Sequence, residues 1–151
     1  MSNDFKKERT DLAAAFRWAA RLNMHEAVAN HFSFAVSEDG SQFLLNPIGM
    51  HFSEICASDL ILLDSNDSTT MSQPNAPDPT AWAIHGAIHR NNPQARCILH
   101  VHPKYATILA CLEDKTMKPI DQNTMRFYEK VSIDHDYSGM GLGKEAERLS
   151  T

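Results

Sequence analysis

The first residues of the chain carry apolar side chains at helical spacing. Phe5, Leu12, Phe16 and Ala19 fall on one stripe, and the basic residues of this segment lie elsewhere around the helix. The pattern predicts an amphipathic helix over roughly residues 4–22, with this stripe packed against the core.

The hydrophobic pattern then changes from helical to alternating. Residues 28–36 alternate between apolar and polar or small side chains, and a second apolar run, residues 43–45, follows an acidic turn that ends at Gly40. Two such runs around a glycine turn are typical of a β-hairpin. A short apolar run at residues 60–63 predicts a further strand.

A polar segment with three prolines, residues 64–79, predicts an exposed loop that leads into a helix. Asp78 is a preferred N-cap residue, and Pro79 suits the first helical position. We expect this helix to run to about Asn91, before Pro93.

An apolar run at residues 97–102 carries two histidines and predicts a buried strand. A helix over residues 105–112, a glycine-rich loop over residues 137–143 and a helix from Lys144 are expected after it. Residues 119–136 show only a weak pattern, with one strand-like run at residues 131–133. The order of helices and strands predicts an α/β fold, a mixed sheet with helices packed on it.

Length and composition narrow the class of protein. The 151 residues suit one domain, and 42% hydrophobic residues suffice for a core. Fourteen basic and nineteen acidic residues leave a net charge of −5, which argues against nucleic-acid or anionic membrane partners. With no apolar leader or membrane span, we expect a cytoplasmic protein. The three cysteines are expected to be reduced and buried.

His100 and His102 are the main candidates for chemistry. Residues i and i+2 of a strand point to the same face, so the two imidazoles can share one metal. Neutral imidazole suits zinc and similar divalent metals. The alternative is a pair of buried histidines satisfied by hydrogen bonds, although burying polar groups without a purpose is costly. The pair also supplies only two of the three protein ligands that a catalytic zinc usually has.

Six other histidines accompany this pair. His85 and His89 are four residues apart on the predicted helix and share a face. Packing and hydrogen bonding behind a metal ligand are their expected roles, with His85 the better candidate. The remaining histidines are scattered and are expected to be structural or exposed: His25, His31, His51 and His135.

Four separated motifs resemble, in order and spacing, the class II aldolase/adducin N-terminal family. The third motif, extended to His89, is closer to the adducin-like branch than to the sugar-phosphate aldolases. The four motifs are residues 29–33 (ANHFS), 43–49 (FLLNPIG), 79–85 (PTAWAIH) and 95–102 (ARCILHVH).

The resemblance implies a three-layer α/β/α domain with a mainly antiparallel central sheet, assembled as a homotetramer with active sites between subunits. It also implies an aldehyde-lyase of carbohydrate metabolism, in which zinc or another divalent metal stabilises an enediolate of a small hydroxy-carbonyl substrate, such as a sugar phosphate. His100 and His102 match the metal ligands of the family. Asn30, Gly49 and Thr80 match parts of its phosphate pocket.

Two departures from the family pattern bear on activity. Ala81 stands at the position of the catalytic Glu, so the general acid/base is not assigned. The family's third histidine follows the helix that begins near Lys144, and His135 does not match it. We therefore expect this chain to contain the N-terminal portion of the family fold, truncated at the C-terminus. The truncation would leave an exposed sheet edge, so we expect the protein to depend on oligomer contacts or to be marginally stable.

Three functions remain open at this point. The first is a metal-dependent lyase, which the histidine pair supports. The second is a non-catalytic, adducin-like interaction or assembly domain, which Ala81 supports. The third is a decarboxylase or epimerase of the same family with a different acid/base group.

Overall fold

The computed structural model describes residues 4–136 and 139–151. Part of the predicted glycine-rich loop, residues 137–138, lies outside the described residues. The helices and strands, in chain order, are α1 (Lys6–Arg21), β1 (His31–Ala35), β2 (Gln42–Leu45), β3 (Ile61–Asp64), α2 (Pro79–Asn91), β4 (Cys97–His100), α3 (Lys104–Ala110), α4 (Gln122–Met125) and α5 (Lys144–Leu149), with a 3₁₀ turn at Thr70–Ser72.

The four strands form one antiparallel sheet in the order β3-β2-β1-β4. The predicted hairpin is confirmed, since β1 pairs with β2 and places Ser33 opposite Leu45. On its other side β1 pairs with β4, which places His31 opposite His100. Strand β4 thereby brings the histidine motif to the edge of the described sheet.

One face of the sheet packs against α1. The predicted stripe is confirmed, because Leu12, Phe16 and Ala19 are buried. The Phe16 ring stacks on Phe32 of β1, with ring centroids 4.6 Å apart, and meets Phe52 edge-on. Burying such aromatic rings supplies the largest share of apolar burial per residue in this layer.

The opposite face of the sheet packs against α2. Ala35, Phe43 and Leu45 form an apolar cluster there with Ala81 of the helix. Because successive strand residues point to opposite faces, Ser33 faces α2 as well. With α1 on one face and α2 on the other, the expected three-layer α/β/α arrangement with an antiparallel sheet is confirmed.

The start of α2 is the predicted one. Asp78 caps the helix, and its Oδ1 accepts hydrogen bonds from the backbone N–H of Thr80 at 2.9 Å and of Ala81 at 3.0 Å. Pro79 occupies the first helical position, and the helix ends at Asn91.

Some predicted strand boundaries were wrong. Strand β4 ends at His100, two residues earlier than expected. Its partner β1 begins at His31, so the ladder has no partner for residues beyond His100. Residues 131–133 do not form a strand, since they find no neighbour to pair with in the described part.

The prediction of buried cysteines was also wrong. Cys56, Cys97 and Cys111 are free but exposed. Cys97 lies on β4, where Leu99, two residues further on, is 52% exposed, and α3 has no buried residue. Apolar residues of β4 and α3 therefore face solvent in this chain.

Within residues 4–136 and 139–151, no helix combines the length and the apolar character needed to cross a bilayer.

Candidate metal centre

The imidazoles of His100 and His102 converge at the end of β4. Their Nε2 atoms are 3.0 Å apart, although His102 lies beyond the last residue of the strand. Both side chains are half-buried. The i, i+2 spacing thus brings the two rings together as the sequence predicted.

The other ring nitrogen of each histidine has its own partner. Nδ1 of His100 lies 2.9 Å from Nε2 of His31, its neighbour across the sheet. Nδ1 of His102 lies 2.6 Å from Oε2 of Glu26, which precedes β1. Such contacts behind a metal-binding histidine fix the ring orientation and raise the basicity of the nitrogen that faces the metal.

A continuous chain of hydrogen bonds runs from His31 into the interface between the sheet and α2. Nδ1 of His31 lies 2.7 Å from Nε2 of His85. The Ser33 hydroxyl bridges Nδ1 of His85 at 2.5 Å and Nε2 of His89 at 2.8 Å. Nδ1 of His89 lies 2.8 Å from the Ala95 carbonyl oxygen. We call these four side chains, His31, His85, Ser33 and His89, the histidine chain.

The members of the histidine chain are neutral at pH 7. Burial, and then the nearby His100, lower the pKa of His31 to about 4. Burial lowers the pKa of His89 to about 4 and that of His85 well below the ordinary histidine value. Burial, followed by the neighbouring His102, also lowers the pKa of His100. Unprotonated imidazole is the form that binds metals.

The two Nε2 atoms suit a shared metal ion. Two nitrogens of a tetrahedral zinc site are about 3.3 Å apart, given zinc–nitrogen distances of about 2.0–2.1 Å. The 3.0 Å between Nε2 of His100 and Nε2 of His102 is close to that spacing. Across the described residues, no group of three or more His, Cys, Asp or Glu side chains is arranged to hold a metal. A metal held by this pair needs at least one further ligand.

The residues matched to a phosphate pocket differ in their burial and in their hydrogen-bond partners. Asn30 is 2% exposed, its Oδ1 accepts from the Glu26 backbone N–H at 2.6 Å, and its Nδ2 finds no partner in the described part. Gly49 lies in an exposed turn after β2 with a φ of +75°. The Thr80 hydroxyl donates to Asp78 Oδ1 at 2.5 Å. No hydrogen bond in the described residues joins Gly49 or Thr80 to the histidine pair.

Ala81, at the position of the family's catalytic Glu, is buried in the apolar cluster beneath α2. Its methyl group packs against the sheet and carries no titratable function.

Sequence reasoning missed three residues of this centre. His31 was expected to be structural or exposed and was given no part in the centre, whereas it is buried and contacts His100. Glu26 is 76 residues from His102 in the chain, so no local pattern connects them. Ser33 had a usable signal, because a polar residue inside an apolar strand, opposite a helix with two histidines four residues apart, indicates a polar contact.

An antiparallel sheet between two helical layers, with a histidine pair at the end of an edge strand, defines the class of α/β domain to which the chain is compared. Residues 10–150 match the family described as Class II Aldolase and Adducin N-terminal domain, and the chain belongs to this family.

Curated relatives of the chain differ in their described functions. An adducin-related protein of Schizosaccharomyces pombe is 34% identical over 148 residues, which cover 93% of this chain and 44% of that protein. The decarboxylase NovR of Streptomyces niveus is 28% identical over 137 residues, covering 90% of this chain and 50% of the enzyme. The chain thus spans about half the length of the curated relatives it matches.

Solved structures show the same fold. An aldolase II superfamily protein from Pseudomonas syringae is similar over 99% of this chain and 60% of its own, with 31% identity and a TM-score of 0.83. An L-fuculose 1-phosphate aldolase from Glaciozyma antarctica is similar over 80% of this chain and 49% of its own, with 26% identity and a TM-score of 0.68.

Proposed function

We propose that this chain provides the metal-binding part of an aldehyde-lyase of the class II aldolase type, which cleaves a carbon–carbon bond in a small hydroxy-carbonyl compound. One observation carries the proposal, namely that the Nε2 atoms of His100 and His102 meet at 3.0 Å while their Nδ1 atoms are held from behind. Membership in the family and similarity to a fuculose-phosphate aldolase support it.

His100 and His102 would hold zinc or another divalent metal. When bound, such an ion draws electron density from substrate carbonyl and hydroxyl oxygens and stabilises the charge that develops as the bond breaks. Glu26 and His31 orient the two ligands through their Nδ1 atoms. The Asn30 side-chain amide is buried and has no partner for its Nδ2 among the described residues, so it would donate a hydrogen bond to a substrate oxygen that reached it.

The N-terminus of α2 does not favour binding of a substrate phosphate. Helix N-termini bind anions through free backbone N–H groups, but Asp78 accepts the hydrogen bonds of Thr80 and Ala81 itself. Burial would raise the pKa of Asp78, yet the hydrogen bonds from Thr80 and Ala81 outweigh it and lower the pKa. The carboxylate is therefore charged and repels a phosphate.

Metal analysis and an activity screen test the proposal together. We expect the purified chain to retain about one divalent metal ion per subunit, and the His100→Ala variant to lose it. His135→Ala is the matched control, because His135 is exposed and outside the centre. Hydroxy-carbonyl compounds with and without phosphate are then assayed for aldehyde release. Equal metal content in His100→Ala and His135→Ala would refute the proposed ligands.

A non-catalytic, adducin-like interaction domain is the second candidate function. The buried Ala81 favours it, since the family's catalytic Glu is replaced by a group that cannot transfer protons. Similarity to an adducin-related protein supports the same reading. A chain that binds no metal and cleaves no substrate, yet forms a stable complex with itself or a partner, would fit this function.

A decarboxylase or epimerase on the same metal is the third candidate. Similarity to the decarboxylase NovR supports it. Release of carbon dioxide without aldehyde from the same substrate panel would distinguish it from a lyase.

A further inference from the structure

We infer that the histidine chain (His31, His85, Ser33 and His89) is a one-way series of hydrogen bonds that sets the tautomer of His100, so that its Nε2 presents a lone pair to a metal. The role of the histidine chain rests on the proposed metal site, whereas the direction of its hydrogen bonds does not. Its members are positioning residues, because they act on the proposed metal site only through His100.

The direction of the hydrogen bonds is set by a backbone carbonyl at the His89 end of the histidine chain. The Ala95 oxygen can only accept, so the 2.8 Å contact requires His89 to carry its proton on Nδ1. A buried imidazole without an anionic partner is neutral, so Nε2 of His89 is an acceptor. The Ser33 hydroxyl must therefore donate its one proton to His89.

Each further link follows from the one before. With its proton used, the Ser33 oxygen accepts from Nδ1–H of His85. Nε2 of His85 is then left to accept from Nδ1–H of His31. By the same reasoning Nε2 of His31 accepts from Nδ1–H of His100. Nε2 of His100 therefore ends the series with a lone pair.

Glu26 imposes the same tautomer on His102 from the other side. Its carboxylate can only accept, so the neutral ring of His102 carries its proton on Nδ1 and leaves Nε2 bare. Two bare nitrogens 3.0 Å apart repel each other until a cation lies between them. The Ala95 carbonyl and the Glu26 carboxylate thereby prepare a cation site from opposite ends.

Burial makes the series hard to replace. Ser33, His85 and His89 are fully excluded from solvent. Water cannot reach them to supply an alternative donor or acceptor, so the loss of one link leaves its neighbours unsatisfied. Ser33 is the vulnerable link, because its single hydroxyl both accepts from His85 and donates to His89.

The tautomers can be measured directly by ¹⁵N NMR of the histidine-labelled, metal-free chain at pH 7.5. We expect His31, His85, His89 and His100 to carry their proton on Nδ1. A mixed tautomer or an Nε2-protonated His100 in the unaltered chain would overturn the inference without any variant.

Ser33→Ala tests the coupling to metal binding. We expect a mixture of tautomers at His100 and a zinc affinity at least about tenfold weaker in a chelator competition. Ser33→Thr keeps the hydroxyl and is expected to restore both. Ser53→Ala is the matched control. The Ser53 hydroxyl contacts His51 at 2.7 Å, and neither residue belongs to the histidine chain, so this variant should change neither the His100 tautomer nor the zinc affinity.

The two proposals fail in different ways. Weaker zinc binding in Ser33→Ala with an unchanged His100 tautomer would assign Ser33 a merely structural role and overturn the inference. A correctly set His100 tautomer in a chain that binds no zinc would support the hydrogen-bond series and refute the metal site.

Discussion

His31 stands directly opposite His100 in the sheet, and Nε2 of the first lies 2.9 Å from Nδ1 of the second. Strand pairing places the two residues side by side, and the contact between their rings leaves the ring of His100 little freedom to turn. The proposed metal ligand is oriented by a neighbouring strand and not by solvent.

Glu26→Gln should weaken metal binding without affecting folding. The amide still accepts a hydrogen bond from His102 but loses the negative charge, so we expect zinc affinity to fall by about tenfold. Because the Glu26 side chain is largely exposed, the free energy of unfolding should change by less than about 0.5 kcal/mol. Chelator competition and urea unfolding measure the two effects. Glu54→Gln, at another exposed position, should alter neither, and an equal effect in both variants would contradict the prediction.

Stability should fall as the pH drops below the ordinary histidine pKa. The pKa of His89 is about 4 in the folded chain and about 6.5 in an unfolded one. The unfolded chain therefore binds more protons between these values, and stability present above pH 6.5 is lost as the pH falls towards 4. His89 alone accounts for a loss on the order of 2 kcal/mol at pH 5.

Urea unfolding at pH 7.5, 6 and 5 measures this slope. His89→Gln should make the slope less steep, with His31 and His85 still contributing, whereas His135→Gln, at an exposed site, should leave it unchanged. A slope that is the same in both variants would exclude His89 as its source.

Asp78→Ala should destabilise the chain through the start of α2. The variant leaves the backbone N–H groups of Thr80 and Ala81 without their present acceptor, which costs about 1 kcal/mol. Asp78→Asn keeps an equally good cap and should be close to the unaltered chain. Thermal and urea unfolding compare the two, and equal losses would show that charge and not capping is important.

Gly40→Ala should be strongly destabilising. Gly40 has a φ of +75°, and an added Cβ would lie 2.1 Å from the His89 carbonyl oxygen. Gly49→Ala is the matched control, since it has the same φ but no atom of the described residues within 4 Å of the added Cβ. The control should cost roughly 1–2 kcal/mol for the left-handed backbone alone, and Gly40→Ala distinctly more. Similar losses in urea unfolding would show that the clash is relieved.

Unfolding should depend on protein concentration. Leu99 of β4, Tyr105 of α3 and Ile120 are 52, 81 and 84% exposed, and exposed apolar surface of this extent favours association. We expect the urea midpoint to rise with concentration and sedimentation to show an oligomer, with a tetramer as the family expectation. Leu99→Lys should lower both the urea midpoint at high protein concentration and the fraction of oligomer in sedimentation. A monomer with a constant midpoint would contradict the prediction.

Local patterns sufficed for most elements of the fold. The apolar stripe of α1, the hairpin of β1 and β2 and the Asp78 cap of α2 depend on neighbours within a few residues, and all were predicted. The end of β4 was not, because a strand ends where its partner ends, and that partner lies 69 residues away in sequence.

The sequence by itself determined that His100 and His102 are two residues apart at the end of a strand, close enough for their rings to meet although the strand itself ends at His100. Only the tertiary structure decided what lies behind them. His31, Glu26 and Ser33 reach the centre through strand pairing and helix packing across long stretches of chain. Hydrogen-bond direction depends on this three-dimensional order, since every link between the Ala95 contact of His89 and the ring of His100 joins residues that are far apart in sequence.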